Sequence, residues 1–236
     1  MTLTLDRASR NFRASIRIER WYGTQLRSLA SRIDGIIRGL LPRVGPGGLF
    51  DTLTKYSSTV TPWAEAIGTR MVEDANRENA RAWFERAEKM AKLLKADPTA
   101  MVARDLQKAQ VDLITSLPKG AARRVQDLAI KGLAEGTRAE TLSKEILRTG
   151  EVTQARANMI ARTETSKATT LLTEARARSI GSEGYIWRTV EDTDVRPSHQ
   201  ELEGRYIAWD LSPSPDGLTG HAGCLPNCRC YADPVI

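Results

Sequence analysis

The sequence predicts an α+β fold that is mainly α: long N-terminal helices, then a helical bundle, then a small loop-rich C-terminal β module. Three observations carry this expectation. Of 236 residues, 41% are hydrophobic and only 6% aromatic, with 27% charged, a balance that suits helices better than a sheet-rich sandwich. Apolar residues recur three or four positions apart along most of the chain up to Gly181, as helices with one buried face require. Beyond Gly184 the texture changes to short aromatic and β-branched runs separated by Pro and Gly.

The elements follow in order. Phe12, Ile16, Tyr22, Leu26, Leu29, Ile33, Ile37 and Leu40 share one face of a first helix that Pro42 is expected to end. The breaker cluster from Pro42 to Gly48 (PRVGPGG) is the expected hinge. A second helix starts near Pro62, carries Trp63, Ile67, Met71, Trp83, Ala87, Met90 and Leu94, and stops at Asp97-Pro98. Val102, Leu106, Ala109 and Leu113 mark a third, closed by Leu117-Pro118, and Val125, Leu128, Ala129 and Leu133 a shorter one up to Gly136. Thr137 and Glu140 are spaced as a capping box for a helix with Leu142 and Ile146, which Gly150 ends. Thr153 then caps a long helix burying Ala157, Ile160, Ala161, Ala168, Leu171 and Ala175 as far as Gly181. Tyr185 to Val190 and Tyr206 to Trp209 read as strands. The apolar stripes read as core or helix-packing seams, not as cofactor boxes.

Composition narrows the function classes. The N-terminal stretch lacks the uninterrupted apolar segment and small-residue cleavage site of a signal peptide, and no apolar run approaches the roughly 18 residues of a membrane span. A soluble protein with no membrane partner is expected. The net charge of +6 is compatible with an anionic partner such as DNA and equally with an ordinary solvated surface. Three cysteines in a chain expected to meet a reducing cytosol argue against structural disulfides and turn attention to metal binding. Phosphate-binding glycine loops, nucleophile elbows and His-Glu-x-x-His motifs are absent from the sequence, so no enzymatic reaction and no small-molecule substrate is expected.

Both histidines and all three cysteines fall between His199 and Cys230. Zinc takes four nitrogen or sulfur ligands, and a loop-rich segment of this size gains folding free energy directly from a metal. The candidate ligands are His199, Cys228 and Cys230, with Cys224 ahead of His221 as the fourth because it shares a loop with Cys228. The spacings C-x3-C and C-x-C differ from the usual C-x2-C knuckle, and buried thiols can also serve as small hydrophobes. Two other readings stand beside this one. Asp192 and Asp194 with His199 can hold a catalytic divalent ion in a nuclease-like enzyme, or they can simply cap the turn that leaves the first strand. Arg123, Arg124, Arg176 and Arg178 can form the phosphate-contacting face of a DNA-binding module.

The order Ile160-Ala161-Arg162-Thr163-Glu164, Ala168, Trp187-x-Thr189, Asp192-x-Asp194-Val195-Arg196-Pro197-x-His199, Gly204 and Pro226-Asn227-Cys228-Arg229-Cys230 resembles the phage Mu F-like head-morphogenesis domain. The resemblance runs from about Leu117 to the C-terminus. It implies a minor capsid protein of a tailed phage or prophage, assembled in the host cytoplasm and located in the virion head. The implied partners are the portal protein, other capsid components and packaged DNA. The chain is thus read as a helical assembly and docking region over 1–116, which resembles no known family, followed by the resembling morphogenesis domain over 117–236. Within the latter, 117–181 is helical and 184–236 is the β module. The run Gly220-His221-Ala222-Gly223-Cys224 stands where members of the family often carry a Gly-Glu pair a few residues before the Asn-Cys-Arg-Cys.

Overall fold

The computed structural model describes residues 12–86 and 97–236. Ala87, Met90 and Leu94, expected on the second helical stripe, and the stretch before Phe12 lie outside the described residues. The described elements are α1 (Ile16–Thr59), α2 (Thr61–Arg86), α3 (Ala100–Ala134), α4 (Ala139–Leu147), α5 (Thr149–Ser179), β1 (Gly184–Arg188), the one-turn α6 (Pro197–Gln200), β2 (Tyr206–Ala208) and β3 (Tyr231–Val235). The fold is mainly α with a small antiparallel sheet near the C-terminus, as the residue pattern requires. The chain forms two compact units that interleave in sequence: Arg20–Thr69 with Lys108–Ala161, and Arg70–Gln107 with Arg162–Ile236 and the chain up to Glu19.

In the first of these units, Tyr22, Leu26, Leu29, Ile33 and Ile37 of α1 are buried as expected. Pro42, however, does not end the helix. α1 continues to Thr59 with a break at Gly45, whose φ of 65° and ψ of −175° lie in a region only glycine enters cheaply, so the breaker cluster is a kink within α1. Pro118 also lies inside its helix. On α3, Gln110, Ile114, Leu117, Ala121 and Val125 form one buried stripe that runs past Pro118. Burial of these side chains outweighs the roughly 3 kcal/mol that an interior proline costs. Gln110 is satisfied by the Tyr22 hydroxyl, which donates to its Oε1 at 2.8 Å.

Two capping expectations are also corrected. Arg138, not Thr137, is the N-cap of α4, and no side-chain capping bond forms there. Gly150 and Thr153 both lie within α5, which starts at Thr149, and the Thr153 hydroxyl donates back to the Thr149 carbonyl at 2.7 Å. Gly150 serves close approach instead: a Cβ there would sit 2.1 Å from Asp34 Oδ1 of α1. The helix ends at Gly136 and Gly181 are as expected, each glycine adopting a left-handed φ, 63° and 90° respectively.

In the other unit, β1 is the central strand, antiparallel to β2 on one side and β3 on the other. The strand β3, with Trp187 opposite Ala232 and Tyr185 opposite Pro234, was not foreseen, and its proline is tolerated at an edge position. Tyr185 and Trp187 alternate onto the buried face of β1 and join Trp83, Trp209, Ala222, Leu225, Cys228, Cys230 and Ala232 in one core. α5 presents unusually polar residues to this interior. Thr169 and Thr173 stay buried because each hydroxyl donates to the carbonyl four residues earlier, at 2.9 and 2.8 Å.

Candidate metal centre

The site sits where the β module turns on itself. Pro197 opens the single turn α6, which places His199 with only 2% of its surface exposed. Trp187 of β1 meets the imidazole edge-on, with ring centroids 5.5 Å apart. Cys228 follows a left-handed residue, Asn227 (φ 57°), and Cys230 directly precedes β3. His199 Nδ1 consequently lies 3.4 Å from Cys228 Sγ and 3.6 Å from Cys230 Sγ. The donor atoms of His199, Cys228 and Cys230 all lie within 4.8 Å of one another, and all three residues are buried.

The far side of the imidazole is fixed as well. His199 Nε2 lies 2.9 Å from Asp216 Oδ2. A carboxylate accepts only, so Nε2 carries a proton, while Nδ1 faces the two sulfurs. Asp216 also accepts from Ser198 Oγ and from Arg196, and these bonds, Ser198's first, hold its carboxyl down to about 2. Hydrogen bonding from Cys230, and then from His199, draws the Cys228 thiol well below the ordinary thiol range. The same bond with Cys228, helped by burial, raises Cys230. The pair therefore releases one proton readily and holds the second. A soft nitrogen and two sulfurs, one already inclined to ionise, form a donor set that fits zinc.

The other predicted ligands lie elsewhere. Cys224 is absent from this cluster, and burial of its thiol pushes it up to about 12. Turns closed by Cys224 N–H to the His221 carbonyl (3.0 Å) and Cys228 N–H to the Leu225 carbonyl (2.9 Å) separate the two thiols. His221 lies 3.2 Å from the Tyr185 hydroxyl and 3.0 Å from Ser212 Oγ. Burial lowers its pKa. Asp192 and Asp194 pair with the Arg229 guanidinium at 2.7 and 3.2 Å, and neither joins the His199 cluster.

Of the four arginines proposed as a DNA-contacting face, one is buried and one is paired with two carboxylates. Arg176 is buried against Asn79 and Asn76, and Arg178 pairs with Glu174 and Asp210, while Arg123 and Arg124 belong to the other compact unit.

The motifs scattered through the sequence converge here. Thr163, within the Ala-Arg-Thr-Glu segment of α5, accepts from the Asn227 N–H at 2.9 Å. Thr170, about two turns further on, donates to the Ala222 carbonyl at 2.7 Å. Arg196 reaches the Pro226 carbonyl, and Arg229 reaches back to Asp192 and Asp194. Asp216 was not foreseen, since a single acid between Pro215 and Gly217 signals only a turn. Nor was Trp187 anticipated as a neighbour of His199.

Comparison with known proteins agrees with the resemblance drawn from these motifs. Residues 123–233 match the family described as Phage Mu protein F like protein. An uncharacterized protein of Haemophilus influenzae (strain ATCC 51907 / DSM 11121 / KW20 / Rd) is 32% identical over 131 residues, which cover 56% of this chain. The matched stretch spans only 29% of that relative's length. No solved structure matches.

Proposed function

We propose that this chain, which carries a Phage Mu protein F-like domain over residues 123–233, is a minor head-morphogenesis protein of a tailed phage or prophage. The observation that carries the reading is the convergence of the family-matching motifs on one buried centre, with Thr163, Arg196 and Arg229 each bonded to a segment distant in sequence. Such a network specifies a rigid module, and no reaction is assigned to it. The helical region 1–116 serves docking onto the portal vertex, and 117–236 is the morphogenesis domain. Among the described residues no helix is long and apolar enough to cross a membrane, which accords with a place in the virion head.

Two finer assignments complete the proposal. Packaged DNA is a partner, supported by a groove of about 380 Å³ lined by Arg123, Arg124, Lys131 and Arg156, with Asp127 beside them. Zinc is the ion of the His199 cluster and has a structural role, bracing a loop-rich segment whose apolar core is small. Deleting the gene from an inducible prophage and counting heads by electron microscopy tests the main reading. Loss of DNA-filled heads, restored by the gene supplied in trans, is expected; a wild-type yield of filled, infectious particles would overturn it.

A further inference from the structure

Resting on the zinc reading above, we propose that three protein atoms hold the ion, His199 Nδ1, Cys228 Sγ and Cys230 Sγ, and that a water molecule completes its shell in place of Cys224.

The separations support this ligand set. Zinc with nitrogen at about 2.0–2.1 Å and sulfur at about 2.3 Å in a tetrahedron places N and S roughly 3.6 Å apart. The observed distances are 3.4 and 3.6 Å, so both thiols can bind without moving the histidine. The surroundings are those of a metal centre also. Ligating histidines commonly donate their second N–H to a carboxylate, which fixes ring and tautomer, and Asp216 occupies that position at 2.9 Å. The buried Trp187 indole N–H has no hydrogen-bond partner among the described residues, and its ring meets the His199 imidazole edge-on with centroids 5.5 Å apart. Asp216 and Trp187 are thus positioning residues.

The fourth position follows from what lines it. A pocket of about 20 Å³ borders His199, Cys228 and Cys230, with Arg196 and Asn227 on its rim. That volume accommodates one water. Asp194 shares the pocket but is engaged by Arg229 at 3.2 Å. Structural zinc sites normally close with four protein ligands, so a three-ligand centre with solvent in the fourth place is exchangeable.

The test uses the full-length chain purified with zinc, then with Co²⁺ as the spectroscopic probe. Expected are one zinc per chain in the wild type and in Cys224→Ser, a cobalt charge-transfer intensity matching two thiolates in both, and a shift of the cobalt d–d bands on adding azide. Asp216→Asn and Trp187→Phe should each weaken zinc binding roughly 10–100-fold while leaving the thiolate count at two. A Cys224→Ser protein that loses zinc or part of the cobalt–thiolate intensity would overturn the ligand set while leaving the zinc reading intact, and d–d bands unmoved by azide would overturn the water ligand alone. A wild-type protein that binds neither metal would overturn the zinc reading and this inference together.

Discussion

Substituting Asn79 by alanine should be among the most damaging single changes in the unit that carries the metal centre. Asn79 and Arg176 are 3% and 6% exposed, and the guanidinium donates to Asn79 Oδ1 at 2.6 Å and to Asn76 Oδ1 at 2.7 Å. Burial draws the Arg176 pKa down to about 10 against the opposing charge of Asp97, so its charge depends on that carboxylate and on these two amide acceptors. The Asn79 amide in turn donates to Thr173 Oγ1 at 2.7 Å. A hydrogen bond to a charged group contributes about 1.5–3 kcal/mol and a neutral one about 1 kcal/mol, so Asn79→Ala should cost about 3 kcal/mol. With a urea m-value of about 2 kcal/mol/M, the midpoint should fall by roughly 1.5 M. Arg176→Met removes the buried charge itself, so the double variant should lose less than the sum of the singles by about 1.5 kcal/mol or more. A midpoint shift under roughly 0.5 M, or additive losses, would refute the claim that Asn79 satisfies the buried guanidinium.

Other consequences are equally concrete. Gly45→Ala should cost about 1–3 kcal/mol from backbone strain alone in urea melts, because φ of 65° with ψ of −175° is a glycine-only conformation while no atom lies within 4 Å of the added carbon. Gly223→Ala combines a φ of 79° with contacts at 2.9 Å to the Cys230 carbonyl and Thr170 Oγ1, so it should melt lower than Gly45→Ala and also lose zinc affinity; equal melting points for the two variants would contradict this. His221 has a pKa lowered mainly by burial, with Glu174, Arg178 and Asp210 as the nearby charges. The unfolded chain protonates it near 6.5 while the folded chain does so lower. Stability should therefore fall as pH drops below about 6.5, by up to about 1.4 kcal/mol per pH unit, and His221→Gln should flatten that slope in thermal melts between pH 7 and 5; parallel curves would contradict the assignment.

What the sequence disclosed, and what it concealed, has physical causes. The stripe Tyr22, Leu26, Leu29, Ile33, Ile37 was readable because α-helical period alone places those residues on one face, and all are buried. Pro118 and Gly150 misled because local propensity is a weak term beside tertiary burial: one interrupts a buried stripe without ending it, and the other is small so that Asp34 can approach. On α2 the buried row is Ala64, Met71, Val72, Ala75, Ala82 and Trp83, with Trp63 and Ile67 at its margin, a rotation that periodicity could not resolve. At the metal centre, the crowding of histidine and cysteine near the C-terminus pointed to His199, Cys228 and Cys230. Spacing favoured Cys224 because shared loop position was taken as proximity, but the turns at Gly223 and Asn227 separate it from the cluster. Asp216 was invisible because its role exists only once the loop bearing it folds against α6.

Quantitative mass spectrometry of purified virions tests the central claim most directly, by comparing the amount of this protein with that of the portal and the major capsid protein. A minor head protein at the portal vertex predicts a few copies per particle, retained after external protease and nuclease treatment. Absence from particles despite synthesis during infection would contradict the assignment, as would a copy number comparable to that of the major capsid protein.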